Sequence, residues 1–576
     1  MLSIRPRWAL SGFGLQNSAG LRLARQSRTQ TPFTPRLTIQ PIRKNSSAAS
    51  PGKAFQERVQ QIKDVCADPY PRLAVDTRTV SCAEFRSRYA GLADNDSVED
   101  TVIVSGRIRT YRLAGSKLIF FDIVQDGHKV QVMCNKRRLE SVSPEDFKQF
   151  YRLLRRGDAF SVTGRPHRTG RGELTIDVSE LPQLLSPCLH DVPVHDTEHE
   201  TSPYPRHVQF LANPATADII RARSALVQYL RQFFVDRSFM EVSTPIIGSV
   251  AGGAIARPFY TSATEFPDRQ LSLRIAPELW LKRLVVGGFE KIFEIGPSFR
   301  NEGVLKQTSK TSPAKLMKNV GLDKTHNAEF TTCEFYQAYA NLENLMTMTE
   351  DLLSGMATHI RALNTTGTLN PTTANFTAPF RRIDFLTGIE EATGHKLPNL
   401  ESPDALDKVH AIFTELSLPL PTNPTLPRLL DELCSVYVES QCIDPTFIIN
   451  PPECLSPLSK SFIHPTTKQR VAARGELFIE GKEVVNTYEE ENSPFEQRRK
   501  FEDQLRFSKA TGEAGEVDES YLEALEWGLP STGGWGCGVD RLCMLFTGAK
   551  RITDVLPFGN LRAVTRRHGR SEDSLK

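Results

Sequence analysis

The order of β-rich and helical runs between Asp100 and Val178 constrains this chain's fold more than any other stretch. Three runs, Thr101–Arg109, Lys117–Val124 and Lys129–Cys134, are dense in β-branched and aromatic residues and read as strands. Asp126-Gly127 lies between the second and third, the dipeptide of a two-residue hairpin turn. A helical pattern follows at Pro144–Arg155, then two more strands at Ala159–Gly164 and Glu173–Val178. Three strands, a helix and two strands, in that order, predict a small barrel of the OB-fold type.

A chain of 576 residues exceeds a single core, so the barrel is one of two or three domains. A Pro-, His- and acid-rich connector at 186–205 leads into the largest of them. There Asn213-Pro214 opens a helix by the cap-then-proline rule, with Ile219, Leu226, Leu230 and Phe233 on one face. The helix runs into an extended segment around Phe239 that is followed by Pro245. The resulting division is a leader at 1–50, a helical extension at 51–97, the barrel at 98–185, the linker at 186–205 and the large domain at 206–570. In the extension, Phe55, Val59 and Ile62 recur at helical spacing.

Charge is unevenly spread. The total is +3, but residues 1–56 hold nine Lys or Arg and no Asp or Glu; without them 62 basic residues face 68 acidic ones, about −6. A Ser- and Thr-rich leader of arginines interspersed with Ile4, Trp8 and Leu10 has the composition of a mitochondrial transit peptide. After Met1 the next methionine is Met133, inside the barrel, so a later start would break the fold and one targeted product is expected. The ten cysteines include no Cys-x-x-Cys pair, which favours reduced thiols inside a cell. No apolar run approaches the roughly 20 residues of a membrane-spanning helix, and no membrane insertion is expected.

The chemistry concentrates in the large domain. Phe299-Arg300-Asn301-Glu302 is followed by His326-Asn327-Ala328-Glu329-Phe330, and the glycine-rich run Gly533–Asp540 precedes Arg541. Arg300 can fork two donors onto phosphate and carboxylate oxygens. Glu302 can accept from an adenine amino group, Phe330 can stack on the base, and His326 can donate to outer phosphates. A Walker loop is excluded, because Gly475 and Gly481-Lys482 stand one residue too far apart and Glu483 follows the lysine.

These two elements resemble motifs 2 and 3 of the class II aminoacyl-tRNA synthetases. With Gly252-Gly253, Arg274–Phe289 and Glu483–Asn492 added, the ordered set resembles lysyl-tRNA synthetase across nearly the whole chain after residue 100. The resemblance implies an α+β architecture, the OB barrel followed by a mainly antiparallel sheet flanked by helices. It implies a homodimer acting on ATP, L-lysine and tRNA(Lys) in the mitochondrial matrix. Arg300 and Arg541 would be catalytic, holding the α- and γ-phosphates, with Glu302, His326, Phe330 and Glu483 completing the ATP site. Glu483 and Glu490 would carry Mg²⁺, although seven residues' spacing does not put both on one face of a regular strand.

A lysine ε-ammonium needs a buried anion, and Glu334 with Tyr336 matches the family's contacts for it. Glu278, Gly252 and Gly253 suit the α-amino end, and Asn486, Tyr488 and Asn492 would close the pocket. In the barrel, Phe121, Gln131, Arg107 and Arg109 match positions that read the anticodon. An aromatic with an amide is the usual reader of single-stranded RNA. The chain departs from the family pattern at Ala328, usually proline, and at Thr487, usually glycine. It also carries a long stretch, 303–325, whose five lysines suit tRNA phosphates. The alternatives are aspartyl or asparaginyl relatives and a protein-lysylating paralogue, which lacks the barrel.

Overall fold

The computed structural model describes residues 52–193, 204–249, 252–253, 256–301, 325–364, 367–421, 423–511 and 517–559. The basic leader, Glu302 and all of the lysine-rich stretch except Thr325 lie outside them.

The barrel has strands β1 (Val102–Leu113), β2 (Leu118–Gln125), β3 (His128–Asn135), β4 (Ala159–Arg168) and β5 (Leu174–Val178), with β6 (Gln183–Ser186) added beside β4. β1 pairs antiparallel with both β2 and β4, and β3 runs parallel to β5, which closes the barrel. Asp126 and Gly127 both take positive φ, 46° and 82°, the conformation a tight hairpin turn demands. Period-two alternation sends Ile119, Phe121 and Ile123 of β2, and Val130, Val132 and Cys134 of β3, into the core.

The extension is part of that core. It contains α1 (Lys53–Val65) and α2 (Cys82–Arg88), while α3 (Pro144–Leu153) crosses between β3 and β4. Ile62, Val80, Cys82, Phe85 and Tyr89 pack in one cluster with the barrel's inward residues. Between them Arg58, 2% exposed, donates to both Asp158 oxygens at 3.0 and 2.8 Å and to the Leu153 carbonyl at 2.8 Å. Asp158 also accepts from the backbone N–H groups of Arg155 and Cys188, at 2.8 and 2.6 Å. A buried arginine breaks the apolar face by which helix burial is read from sequence, so this anchor was not legible there.

In the large domain the strands are β7 (Met240–Glu241), β8 (Lys291–Phe299), β9 (Glu329–Ala338), β10 (Arg381–Asp384), β11 (Thr446–Ile449), β12 (Arg474–Ile479), β13 (Lys482–Glu489) and β14 (Thr532–Gly538). They form one sheet in the order β10-β11-β12-β13-β14-β9-β8-β7, antiparallel except at its two end pairs. The helices that matter to the site are α4 (Pro214–Val235), α5 (Glu278–Val286), α6 (Leu342–Leu363), α7 (Glu519–Glu526) and α8 (Val539–Thr547). Asn213 caps α4 as expected, accepting from the Ala215 N–H at 3.0 Å.

One face of the sheet is packed by α4 and α6. Phe335 stacks on Trp535 with centroids 5.1 Å apart, and Phe234 of α4 meets both, at 5.2 and 5.9 Å. The Trp535 indole N–H donates to Thr349 of α6 at 2.9 Å. The opposite face carries the polar residues. No helix among the described residues is long and apolar enough to cross a membrane.

Removing Arg58 leaves Asp158 buried without its cation, which costs about 3–5 kcal/mol. Arg58→Ala should therefore lower the unfolding free energy by that amount in urea titration, and Arg58→Met paired with Asp158→Asn should recover most of it. A loss under about 1 kcal/mol for the single variant contradicts the anchor.

Candidate active site

The polar face is laid out in cross-strand rows. Ile292, Tyr336, Gly534, Tyr488 and Arg474 stand side by side from β8 to β12, and Glu294, Glu334, Gly536, Asn486 and Glu476 form the next row. Beyond them lie Gly296, Thr332 and Gly538. Glycine at alternate positions of β14 lets other side chains cross its backbone. A Cβ at Gly534 would run into the Glu490 carboxylate and the Tyr336 ring, and one at Gly536 would sit 3.4 Å from Glu334 Cγ. The intervening Trp535 and Cys537 point into the core.

One end of this floor is cationic. Arg300 follows β8; its backbone N–H donates to the Ala328 carbonyl at 2.9 Å, and its guanidinium lies 5.0 Å over the Phe330 ring. Arg541, in the first turn of α8, has Nη2 2.9 Å from His326 Nε2 and donates from Nη1 to the Glu483 carbonyl at 2.9 Å. Arginine only donates, so Nε2 accepts, the ring proton sits on Nδ1, and it points to Thr325 Oγ1, 3.0 Å away. Asp540, beside Arg541, accepts from the Thr331 N–H at 2.8 Å and pairs with Arg223, which ties the start of α8 to β9. Arg300, His326, Phe330, Glu483 and Arg541 line one cavity of about 180 Å³.

Glu483 reaches that cavity through a bulge. Leu477 pairs with Val485 but Phe478 with Glu483, so Val484 is an extra residue on β13. Val484 and Val485 are both buried in the core, and the parity flip turns Glu483 to the polar face. Glu476 lies on the neighbouring strand. Burial pushes its carboxyl up to about 7; Arg474 opposes the shift and Glu483 adds to it.

The other end is acidic and buried. Glu278 opens α5 and accepts at one oxygen from the Tyr488 hydroxyl and the Lys282 ammonium, each at 2.6 Å. Lys282 is also 2.5 Å from Glu490. Glu294 is paired with Arg274 at 2.5 Å. Glu334 receives the Tyr336 hydroxyl at 3.3 Å, and among the described residues no cation stands within ion-pair distance of it. Burial, with the Glu278 charge nearby, pushes its carboxyl up to about 8. Gly253, at φ +89°, packs against the Glu278 side chain, and Gly252 packs against Leu279. Arg474 holds the Asn486 amide oxygen at 2.9 Å.

The family model for class II tRNA synthetases (D, K and N) matches residues 198–311 and 314–562, and the model for an OB-fold nucleic acid binding domain matches 102–184. A lysine–tRNA ligase of Cladosporium cladosporioides is 40% identical over 511 residues, 85% of this chain and 80% of that protein. A mitochondrial lysine–tRNA ligase of Schizosaccharomyces pombe is 37% identical over 519 residues, covering 88% and 93%. A lysine–tRNA ligase of Gloeobacter violaceus is 36% identical over 513 residues, covering 88% and 97%. The chain belongs to the class II lysyl-tRNA synthetase family.

Three expected sites of this synthetase sit elsewhere than the sequence suggested. Glu490 does not stand with Glu483: at about 3.3 Å per residue they are roughly 20 Å apart along the chain, and Glu490 is salt-bridged to Lys282 in the acidic end. Glu476 is the carboxylate that faces Glu483. Asn492 does not close the pocket, because its amide donates to the Leu529 carbonyl at 3.1 Å and accepts from Lys460 at 2.7 Å. Phe121 is 1% exposed and packs edge-on against Phe150 at 6.4 Å, so no base can stack on it.

The outward aromatic is Phe120, with the Arg112 guanidinium 4.9 Å over its ring. Parity alone could have found it: Asp122 pairs with Gln131 across β2 and β3, and Phe120 shares Asp122's face. Gln131 accepts from the Thr175 hydroxyl at 3.1 Å. Arg107 and Arg109 are exposed, Arg107 donating to the Gly157 carbonyl at 2.9 Å. Thr487, the departure from glycine, satisfies its buried hydroxyl on the Gly534 carbonyl at 2.9 Å.

The two phenylalanines should therefore separate. Phe121→Ala should cost about 3–5 kcal/mol of stability, while Phe120→Ala should leave stability nearly unchanged and weaken tRNA binding by about 1–3 kcal/mol. Filter binding with urea titration of both variants checks this, and a reversal of the two effects contradicts it.

Proposed function

We propose that this synthetase ligates L-lysine to tRNA(Lys) through a lysyl-adenylate, as a homodimer in the mitochondrial matrix. The observation that carries the amino-acid choice is Glu334, a buried carboxylate with no resident cation among the described residues, on the same floor as the cationic end. The substrate carboxylate attacks the α-phosphorus of ATP, pyrophosphate leaves, and the adenylate then passes lysine to the tRNA's terminal ribose. Arg300 lies where it can neutralise the carboxylate and α-phosphate together, and Arg541 can offset charge on the outer phosphates. Phe330, now under Arg300, offers its face to the adenine. In the resting arrangement His326 is engaged by Arg541, so ATP would have to exchange that contact for its phosphates.

The donor set suits a divalent ion. Two carboxylates, Glu476 and Glu483, lie near each other beside the arginines; burial is the main cause that raises the Glu476 carboxyl and the Glu483 charge adds to it, so a cation bound there would favour both charged forms. When bound, Mg²⁺ supplies charge neutralisation of the phosphates. No cluster of three ligating side chains is found among the described residues, so ATP oxygens would complete the coordination.

At the far end, an ammonium about 3 Å from Glu334 gains a gross attraction of about 5 kcal/mol at an effective dielectric near 20. An aspartate side chain would be repelled there, and an asparagine amide would leave the carboxylate uncompensated. The matrix location is supported by the acid-free basic leader and by the Schizosaccharomyces pombe relative named as mitochondrial. A dimer is supported by the apolar side chains Ile247, Tyr260 and Phe266 left exposed on the strands Ile247–Gly248, Tyr260–Ala263 and Phe266–Leu273.

Two outcomes check the Glu334 assignment. Glu334→Gln should abolish lysine-dependent ATP–pyrophosphate exchange while keeping the thermal unfolding midpoint, and near-normal exchange would remove the assignment. In the unaltered enzyme Glu334 is neutral below its raised pKa and charged above it, while lysine's ammonium stays protonated throughout. The KM for lysine should then fall about tenfold per pH unit up to pH ~8 and level off above it; a flat profile between pH 6 and 8 contradicts this.

A further inference from the structure

We propose that Arg223 is a positioning residue for ATP, its two-armed contact fixing the separation between the Arg541 guanidinium and the Phe330 ring. The proposal rests on reading the cationic end as the ATP site. The β9–β14 ladder ends where Thr332 pairs with Gly538, and β14 then gives way to α8. Phe330 and Arg541 both lie just past that end, where no further rung joins strand to helix. In place of the next rung, the Asp540 carboxylate accepts the Thr331 N–H at 2.8 Å with one oxygen and takes Arg223 with the other. The second arm of the Arg223 guanidinium donates to Thr331 Oγ1 at 2.9 Å.

Arg223 on α4, Asp540 on α8 and Thr331 on β9 thus close a ring of hydrogen bonds. Thr331 is the chain neighbour of Phe330, and Asp540 that of Arg541, so each group lining the cavity is one residue from the ring. An arginine that only neutralised Asp540 would need one arm, and the N-terminus of α8 already favours an acid in its first turn. Arg223 directs its other arm to Thr331 instead, and its planar fork holds both partners in one geometry. The side chains of Arg223 and Asp540 are 14% and 2% exposed, so water does not loosen the pair.

Both groups act on one ligand. Phe330 offers its face to the base and Arg541 meets the outer phosphates, so their separation decides whether ATP engages both at once. Glu334 lies farther along β9, where β8 and β14 pair with it on both sides, and its placement does not depend on the ring. A change at Arg223 therefore reaches ATP and leaves the amino-acid end in place.

The test is calorimetric binding of ATP with Mg²⁺ by the full chain, alongside the lysine KM in pyrophosphate exchange and thermal unfolding. Arg223→Lys keeps a cation beside Asp540 but lacks the fork. It should raise the ATP Kd about tenfold, the equivalent of one charged hydrogen bond, with the lysine KM within about twofold. Thr331→Val removes only the second contact and should raise the ATP Kd about threefold. In an Arg541→Ala background Arg223→Lys should add less than about twofold, because with one group gone the separation no longer matters. The proposal is overturned if neither Arg223→Lys nor Thr331→Val changes the ATP Kd, if the ATP and lysine constants rise together, or if the effects of Arg223→Lys and Arg541→Ala multiply. Should Arg223→Lys fail to fold, Thr331→Val decides by the same criteria. If the unaltered chain binds no ATP, the reading of the cationic end fails instead, so the two failures are distinguishable.

Discussion

Everything in the active-site half of the molecule depends on the pleat of one strand. β14 alternates glycine with Trp535 and Cys537, so it presents bulk to the core and nearly bare backbone to the pocket. Because Gly534 and Gly536 have no side chains, Tyr336, Glu334 and Glu490 can lean across the strand from its neighbours. The same strand ends at Gly538, where α8 begins and Arg541 is delivered to the phosphate end. A one-residue slip would bury the glycines and drive Trp535 into the substrate; the stack of Phe335 on Trp535 and the indole bond to Thr349 fix the register.

On that floor the charges are sorted by whether they already have partners. Glu294 has Arg274, Glu278 and Glu490 share Lys282, and Asp540 has Arg223. Among the described residues Glu334 has only a long tyrosine hydrogen bond, and burial pushes its carboxyl up to about 8. Glu476 is paired with Arg474 and Glu483 lies 3.6 Å from Arg541, yet burial and the neighbouring Glu483 charge still raise the Glu476 carboxyl. These two raised carboxyls lie at opposite ends of the floor, one suited to an ammonium and the other to a metal-bound polyphosphate. An anion-binding end and a cation-binding end on one rigid sheet hold a zwitterionic substrate in one direction.

The barrel's strand order and hairpin turn were legible because turn chemistry and period-two patterning are local. Arg300, His326, Phe330 and Arg541 were legible as a set because their residue types suit a phosphate site and their order matches a known family; the structure gathers them around one cavity. What was not legible depended on non-local geometry. The bulge at Val484 shifts the parity of β13, so counting residues from Glu483 could not identify its partner, and the resemblance pointed to Glu490 where Glu476 stands. Asn492 reads as a pocket amide until Lys460 and Leu529 are brought to it by folding. Phe120 and Phe121 are adjacent aromatics that composition cannot tell apart, whereas pairing with β3 can. Lys282 and Arg58 were missed for a shared reason: buried cations look like surface residues until their carboxylates are located.

The central claim is that a cationic cleft and the buried Glu334 carboxylate, which has no cation partner among the described residues, select a long, positively charged amino acid. Pyrophosphate exchange by the purified chain, run with each of the twenty amino acids in turn, tests it most directly. The account predicts exchange with lysine far above every other amino acid. Preferential activation of aspartate or asparagine would contradict it.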